Sequence, residues 1–290
     1  MEKILLDTDI GCDMDDMQAL AYLLARDDVK LLGITTVTGE PIVRAKLADM
    51  MCRLAGRNIP IHSGAGEALN GKFRQGGVIK KEKALLDEFP HREDFAEETA
   101  VEFLRETIEA HPREITLCAI GPLTNLARLF TKYPHIPHLI KTLVIMGGRF
   151  GDVDTARWGE QEWNIINDPE AARIVFDAPV TDVRVFGVEL TNRVFRTDTE
   201  TLSDECAKIP SLLPFSKVIR TSREAWYHDV VAVSALFCDD GMEFARGRIC
   251  VSEAGDTHFT PDKQGNHLLM TAMDIGKFFA HYNQTVGIKK

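Results

Sequence analysis

The sequence has no long hydrophobic run, no paired cysteines and no excess of positive charge. No stretch approaches 18 consecutive apolar residues, and the first residues show no signal-peptide pattern, so we expect no membrane segment. The six cysteines are scattered without a C-x-x-C pair, which is typical of reduced, mostly buried thiols in a cytoplasmic protein. Lys and Arg number 34 against 44 Asp and Glu, and this net charge of −10 argues against nucleic-acid binding.

What is present is the composition of an ordinary globular chain of 290 residues, 44% hydrophobic and 27% charged. Neither a linker rich in Pro or Ser nor an internal repeat divides it, so we predict a single domain over residues 1–290. Two segments depart from the regular pattern. Residues 63–94 are polar and Gly-rich and are predicted to form a flexible excursion over the ligand crevice. Residues 191–237 are predicted to form a mainly helical insertion.

Short β-type runs alternate with helical patterns along the chain. Strands are predicted at 3–7, 30–37, 60–62, 114–119, 142–146, 183–186, 249–252 and 267–273. Helices are predicted at 15–26, 40–55, 97–110, 123–130, 168–176, 230–237 and 276–284, with Asp168 as the N-cap of the fifth and Pro169 in its first turn. Apolar strands that alternate with helices form parallel sheets covered on both faces. We therefore predict an α/β fold with an open, mostly parallel, Rossmann-like sheet, and a ligand crevice at the carboxyl ends of its strands.

Five aspartates lie within ten residues, where the first predicted strand ends and the first helix begins: Asp7, Asp9, Asp13, Asp15 and Asp16. Part of this density is explained by the helix macrodipole, which favours acidic residues in a first turn. Carboxylates this close repel one another unless a cation is present, and ligand sets made only of oxygen suit Ca²⁺ or Mg²⁺. An EF-hand is excluded, because Cys12 and Gln18 stand where that loop needs Gly and Glu.

Six segments in order resemble one enzyme family, the inosine–uridine-preferring nucleoside N-ribohydrolases. The run D-T-D-I-G-C-D-M-D-D at 7–16 resembles the family's amino-terminal D-x-D-x-G-x-D-D fingerprint. The further matches are G-I-T-T-V-T-G at 33–39, I-G-P-L-T-N-L-A at 120–127, V-I-M-G-G at 144–148, E-W-N-I-I-N-D-P-E-A-A at 162–172 and Y-H-D-V-V-A-V at 227–233. The resemblance implies an open α/β fold, a bound Ca²⁺ ion, and hydrolysis of a nucleoside to free base and ribose.

The resemblance also implies roles for individual residues. The implied metal ligands are Asp9, Asp16, Asp229 and the backbone carbonyl of Ile120. The implied substrate-binding residues are Asp15, Glu162 and Asn164, which bind ribose, and Met146, which lies under the sugar. His228 matches the residue that some members use to protonate the departing base.

Asp9 is expected to have a second role, as the general base. Cleavage of the ribosyl C1′–N bond passes through an oxocarbenium-like state, as in glycoside hydrolysis. Calcium is a modest Lewis acid, so a water held at the cation needs a carboxylate that takes its proton before it attacks C1′. Asp9 is the carboxylate to which we assign that step.

Two positions depart from the family pattern. Glu40 stands where much of the family has an Asn that contacts ribose, and we expect Glu40 to face the crevice and accept a hydrogen bond from the 2′-hydroxyl. The loop at 151–159 lacks another ribose-binding Asn, and Arg149 or Arg157 is a candidate to replace it or to favour an acidic group. The family activity is therefore a firmer expectation than the usual substrate.

Several alternatives stay open at this stage. Asp229 is also a candidate N-cap for the helix at 230–237, and either Trp158 or Trp163 is a candidate to stack on the base, with Trp163 equally a packing anchor. The sequence assigns no role to Asp7 or Asp13 and does not name the preferred base or sugar. We expect a small-molecule nucleoside as the partner, and a homodimer or homotetramer.

Two rival functions are compatible with parts of the sequence. The first is a calcium-dependent nucleoside- or sugar-binding protein without turnover, suggested by Glu40 and the altered loop at 151–159. The second is a phosphatase of the haloacid dehalogenase type, because an apolar strand followed by D-T-D resembles that family's D-x-D motif. Gly11 stands where that motif needs Thr or Val, which weakens the second alternative.

Overall fold

The computed structural model describes residues 1–71 and 73–288, and within them eleven strands and thirteen α-helices. The strands are β1 (Glu2–Thr8), β2 (Val29–Thr36), β3 (Ile61–Ser63), β4 (Ile115–Ala119), β5 (Thr142–Met146), β6 (Val183–Phe186), β7 (Phe195–Arg196), β8 (Ala225–Trp226), β9 (Met242–Val251), β10 (Thr257–Pro261) and β11 (His267–Met273). The helices are α1 (Asp15–Leu24), α2 (Pro41–Leu54), α3 (Lys80–Lys83), α4 (Ala100–Ala110), α5 (Thr124–Lys132), α6 (Thr155–Trp158), α7 (Trp163–Asn167), α8 (Pro169–Asp177), α9 (Val188–Thr191), α10 (Thr199–Cys206), α11 (Leu213–Ile219), α12 (His228–Ser234) and α13 (Ile275–Val286).

Nine of these strands form one sheet in the order β10-β9-β11-β6-β5-β4-β1-β2-β3. The strands from β11 to β3 pair in parallel, while β9 and β10 add two antiparallel strands at one edge. The strand order reverses between β1 and β4, and ligands bind in open α/β sheets at such a switch point. The predicted mostly parallel central sheet is thus confirmed, and its topology selects the ends of β1 and β4 as the crevice.

The central strands are buried on both faces. In β1, Ile4 and Leu6 belong to the core on one side of the sheet, while Leu5 between them belongs to the core on the other side, and all three are fully buried. Successive side chains of a strand point to opposite faces, so a strand covered on both faces reads as a continuous apolar run. This run is what made the central strands recognisable in the sequence.

The edge of the sheet differs from the sequence prediction. β9 is ten residues long rather than the four predicted at 249–252, and β10 and the β7–β8 ribbon were not predicted. β9 and β10 are mostly exposed or half-buried, and β7 and β8 are two residues long, so these strands lack the apolar run of a strand buried on both faces. Asp168 is the N-cap of α8, with Pro169 in the first turn, as predicted. The flexibility of 63–94 and the single-domain division stay predictions.

The structure also shows the state of the cysteines and the character of the helices. All six cysteines are free; Cys52, Cys118 and Cys206 are buried as expected, whereas Cys250 is exposed on β9. None of the helices in the described ranges combines the length and the apolar character that crossing a bilayer requires.

Candidate active site

A cleft of about 540 Å³ lies at the carboxyl ends of the central strands, and its volume is within the range of small-molecule sites. Nine of the ten residues predicted for the site line this cleft: Asp9, Asp15, Asp16, Ile120, Met146, Glu162, Asn164, His228 and Asp229. The structure therefore brings together residues from five of the six motif segments. The tenth, Glu40, lies elsewhere.

Three buried carboxylates form the centre of the cleft. Among the described residues, Asp15, Asp16 and Asp229 each offer an oxygen within 4.8 Å of the others. Asp15 and Asp16 are in the first turn of α1, and Asp229 is in the first turn of α12, so two helix N-termini favour negative charge here. The N-cap of α12 is Tyr227, and the alternative that Asp229 is the N-cap is therefore wrong.

The electrostatics of this group call for a cation. Burial raises the pKa of Asp15 to about 6, and burial together with the neighbouring carboxylates raises the pKa of Asp16 and Asp229 well above the usual range. Hydrogen bonds relieve only part of this: Thr8 Oγ1 donates to Asp16, and the Asp229 amide donates to Asp15 Oδ2 at 3.1 Å. Three buried carboxylates with only oxygen donors fit a hard divalent cation.

Asp9 lies beside this group. Its Oδ2 accepts a hydrogen bond from Gln75 Nε2 at 3.1 Å, and its backbone carbonyl accepts from Arg44. The single proton of the Cys12 thiol is shared between that carbonyl, 3.0 Å from Sγ, and Oδ2, 3.2 Å from Sγ. Burial raises the pKa of the Asp9 carboxyl, while the Arg44 guanidinium opposes the rise. Asp9 is thus a buried carboxylate that lines the same cleft as Asp15, Asp16 and Asp229.

Glu162 connects two turns that border the cleft. Its Oε2 accepts from the amides of Gly148 at 3.0 Å and Ile165 at 3.1 Å, and its Oε1 accepts from the amide of Asn164 at 2.8 Å. It is the N-cap of α7, which explains part of its place in the motif. Burial raises the pKa of Glu162, and the three amide bonds oppose that rise.

Asn164 connects the ends of β4 and β5. Its Nδ2 donates to the carbonyl of Ile120 at 3.0 Å and to the carbonyl of Met146 at 3.1 Å. A carbonyl oxygen has two lone pairs, so the Ile120 carbonyl still has acceptor capacity for a cation. Asn164 therefore orients two of the other predicted site residues.

His228 lies in the wall of the cleft. Its Nδ1 is 2.8 Å from Thr191 Oγ1, and its ring stacks on Trp226 with centroids 5.7 Å apart. Burial lowers the pKa of His228 to about 4, so the imidazole is neutral at pH 7. Thr191 and Trp226 hold it in one orientation.

The remaining aspartates of the cluster have separate places. Asp7 is fully buried, and its Oδ1 accepts from Thr35 Oγ1 at 2.5 Å and from Asn125 Nδ2 at 2.7 Å. Asp7 thus ties β1 to β2 and to the start of α5, and burial raises its pKa to about 7. Asp13 lines the cleft with the predicted residues.

The expectation that Glu40 faces the crevice is wrong. Its Oε1 accepts from Lys83 Nζ at 2.6 Å and its Oε2 accepts from the amide of Val78 at 3.0 Å, outside the cleft. The sequence placed Glu40 correctly after β2, but the chain at 78–83 supplies a cation and an amide that direct the carboxylate away from the cleft.

Sequence reasoning missed several residues of the cleft. Gln75 and Val188 line it, and the adjacent Gly76-Gly77 pair was the signal that could have marked Gln75. Trp163 is half-exposed and donates from Nε1 to Gln75 Oε1 at 2.5 Å, whereas the side chain of Trp158 lies outside the described part of the chain.

The two candidate arginines separate in the structure. Arg157 lines the cleft, pairs with Glu224 and packs over the ring of Trp226, with its guanidinium carbon 4.8 Å from the ring centroid. Arg149 faces a second cavity and is 3.6 Å from Glu160. Only Arg157 of the two is therefore placed to meet a ligand in the cleft.

Comparisons with known proteins identify the family. The family model described as inosine-uridine preferring nucleoside hydrolase matches residues 4–280. Uridine nucleosidase 1 of Arabidopsis thaliana is 30% identical over 273 residues, covering 88% of this chain and 79% of that protein. The non-specific ribonucleoside hydrolase RihC of Klebsiella pneumoniae (strain 342) is 30% identical over 251 residues, covering 82% of this chain and 79% of that protein.

Solved structures support the same fold. The purine-preferring ribonucleoside hydrolase from Gardnerella vaginalis superposes with a TM-score of 0.82 at 21% identity, covering 98% of both chains. The sheet topology, the residues gathered in the cleft and the match over nearly the whole sequence lead to one conclusion. The chain belongs to the inosine-uridine preferring nucleoside hydrolase family, and it is an enzyme of the class that hydrolyses the N-glycosidic bond of nucleosides.

Proposed function

We propose that this protein is a calcium-dependent ribonucleoside hydrolase that releases free base and ribose. The observation that carries the proposal is the group of three buried carboxylates beside Asp9, in one cleft of a nucleoside hydrolase fold. The names of its relatives refer to uridine, to ribonucleosides in general and to purine ribonucleosides, so the proposal is for the ribonucleoside class rather than one base.

The residues that would hold the cation are Asp9, Asp16, Asp229 and the carbonyl of Ile120, with Asp15 close enough to share it. We propose Ca²⁺ because carboxylate and carbonyl oxygens in a flexible arrangement suit it better than the strict octahedron that Mg²⁺ demands. When bound, the cation supplies charge that lowers the pKa of a coordinated water.

Asp9 takes the proton of the attacking water. Its carboxylate is buried, lies next to the cation group and is held by donors on Oδ2, so it is positioned before the substrate arrives. Attack at C1′ builds positive charge on the ribosyl ring. The carboxylates of Asp15 and Glu162 border the same cleft and stabilise that charge electrostatically. The interaction is stronger there than in water because the site has a low dielectric constant.

Different residues contact the sugar and the base. Asp15, Glu162 and Asn164 bind the ribose hydroxyls, and Met146 packs under the ring. His228, held by Thr191, delivers a proton to the departing base, since a neutral leaving base departs more easily than an anionic one. Because burial leaves the free imidazole neutral at pH 7, it has to take up the proton that it delivers, and the charge of Asp13, which opposes the lowering of its pKa, favours that uptake.

A nucleoside panel assayed for free ribose tests the proposal. Uridine, cytidine, inosine, adenosine and 2′-deoxyuridine are incubated with the protein in Ca²⁺, in chelator, and after Ca²⁺ is restored. We expect ribose release with at least one ribonucleoside, loss of activity in chelator and recovery on re-addition. Binding of nucleoside without any ribose release would instead support the binding-protein alternative. Light scattering on the same sample tests the proposed homodimer or homotetramer.

A further inference from the structure

We propose that residues 74–79, anchored by Glu40, position Asp9 through the side-chain amide of Gln75, which keeps one oxygen of Asp9 away from the cation. Residues 74–79 are called the strap below. The inference rests on the proposed function, because it concerns how Asp9 serves as both cation ligand and general base.

Glu40, the N-cap residue of α2, fastens the strap to the start of that helix. Its Oε2 accepts from the amide of Val78 at 3.0 Å, and its Oε1 accepts from Lys83 Nζ at 2.6 Å. The hydrogen bond from Lys83 lowers the pKa of Glu40, so the carboxylate is ionised at neutral pH. One side chain therefore holds both the end of the strap and the helix that follows it.

The strap lies directly on the turns that follow β1 and β2. The amide of Ile79 donates to the carbonyl of Gly11 at 2.9 Å. Gly39 has a φ of +56°, and a Cβ on it would come within 2.5 Å of the carbonyl oxygen of Gly76. A Cβ on Gly77 would lie 2.1 Å from Glu40 Oε2. Side chains at these glycines would push the strap off, so its close seating depends on their absence.

Gln75 connects the strap to the site through three hydrogen bonds. Its backbone amide donates to Asn167 Oδ1 at 2.8 Å, its Oε1 accepts from Trp163 Nε1 at 2.5 Å, and its Nε2 donates to Asp9 Oδ2 at 3.1 Å. The indole nitrogen is a donor only, so Trp163 fixes the amide with its oxygen towards the ring and its NH₂ towards Asp9. Gln75 is 9% exposed, and water competes little for these contacts.

We infer that the two oxygens of Asp9 have different roles: Oδ1 faces the cation, and Oδ2 takes the proton of the water. Gln75 donates to Oδ2 and leaves that oxygen a lone pair for the proton of the attacking water, and Asp9 lies outside the group in which Asp15, Asp16 and Asp229 approach within 4.8 Å. A neutral amide can hold a carboxylate without adding charge to the site. Without that donor, attraction to the cation would draw both Asp9 oxygens onto it, so cation binding would strengthen while the base is lost.

Gln75→Leu separates this role from general loss of structure. Calcium affinity is measured by titration calorimetry without substrate, and kcat and KM are measured by ribose release. We expect Ca²⁺ to bind about 3–10-fold more tightly and kcat to fall about 10–100-fold, with KM changed less than about 3-fold. Gln75→Met, which keeps the side-chain length, should behave alike, and the exposed Gln264→Leu should match the wild type. Weaker or unchanged calcium binding in both Gln75 variants would overturn the proposal.

A double-mutant cycle tests the anchor. Glu40→Ala should lower kcat about 3–10-fold in the wild type but less than about 2-fold in Gln75→Leu, because Glu40 acts through Gln75. Lys83→Met should resemble Glu40→Ala in direction, whereas Lys80→Met, at an exposed lysine of the same helix, should leave kcat unchanged. Fully multiplicative losses would overturn the role of Glu40. If the wild type hydrolysed no nucleoside, the proposed function would fail, and the calcium titrations would still decide this inference.

Discussion

Asp9 combines more expected roles than any other side chain in the cleft, and its replacement tests the chemistry most directly. Asp9→Asn keeps the shape of the side chain and removes its ability to take a proton. We expect kcat for ribonucleosides to fall by about 10²–10⁴, the range for loss of a general base. Ribose release gives kcat, and calorimetry shows whether Ca²⁺ still binds. Near-normal turnover with calcium bound would contradict the assignment of Asp9 as the base.

His228 offers a test that depends on the leaving group. If His228 protonates the base, His228→Ala should slow natural nucleosides by about 10²-fold or more and slow p-nitrophenyl riboside much less, because that leaving group needs no proton. Steady-state kinetics on the two substrates provide the measurement. Equal losses would show that the ring, held by Thr191 and stacked on Trp226, acts by packing instead.

Helix α2 carries a buried arginine, Arg44, whose guanidinium joins the turns after β1 and β2. Arg44 is fully buried and donates to the carbonyls of Thr38 at 2.6 Å and Ile10 at 3.1 Å, and also to the carbonyl of Asp9. Arg44→Met leaves these carbonyls without their donor, and we expect the free energy of unfolding to fall by about 3–5 kcal/mol. Urea denaturation measures this loss.

The matched variant is Arg44→Lys. A lysine keeps the charge but presents one ammonium rather than a planar fork, so it cannot serve carbonyls on both turns. It should recover part of the stability of Arg44→Met but not all of it. Equal stability of the lysine variant and the wild type would show that the charge, rather than the geometry of the guanidinium, holds the two turns.

The thermal stability of the protein should depend on pH differently with and without bound Ca²⁺. The folded-state pKa is about 7 for Asp7 and about 6 for Asp15, against about 3.9 for an unfolded aspartate. The folded chain therefore binds more protons between about pH 4 and 7, and the stability that these groups contribute is lost as pH rises through that window. In chelator we expect Tm to be about 2–4 °C higher at pH 5.5 than at pH 7.5.

Two histidines act in the opposite direction. Burial lowers the pKa of both His228 and His267 to about 4. The unfolded chain therefore binds more protons at these histidines below about pH 6.5, and the free energy of unfolding falls as the pH falls below that value. The raised pKa values of Asp9, Asp16 and Asp229 add to the aspartate effect and outweigh the histidines. With excess Ca²⁺ the trend should reverse, since the ligands must be deprotonated to bind it. Scanning calorimetry of the chelated protein showing a lower Tm at pH 5.5 would contradict this balance.

The central sheet could be predicted from the sequence because its strands are buried on both faces and therefore appear as apolar runs between helices. The motifs that follow those strands, through their resemblance to one family, indicated ten site residues, of which nine line the cleft, and the family match removes the phosphatase alternative. The cytoplasmic location and the oligomeric state stay predictions. The strands and the individual motifs could be recognised because each depends on residues close together in the chain.

Tertiary structure alone decided what the side chains contact. Glu40 and Lys83 are 43 residues apart, and Gln75 and Asp9 are 66 apart, so no local pattern reveals that one pair directs a carboxylate away from the cleft while the other holds the proposed base. The predicted end of a strand gives the position of a residue's backbone. The direction of a flexible polar side chain depends instead on hydrogen-bond donors that the fold brings from distant parts of the chain. Segments 74–79 and 78–83 supply those donors, and only the folded chain places them there.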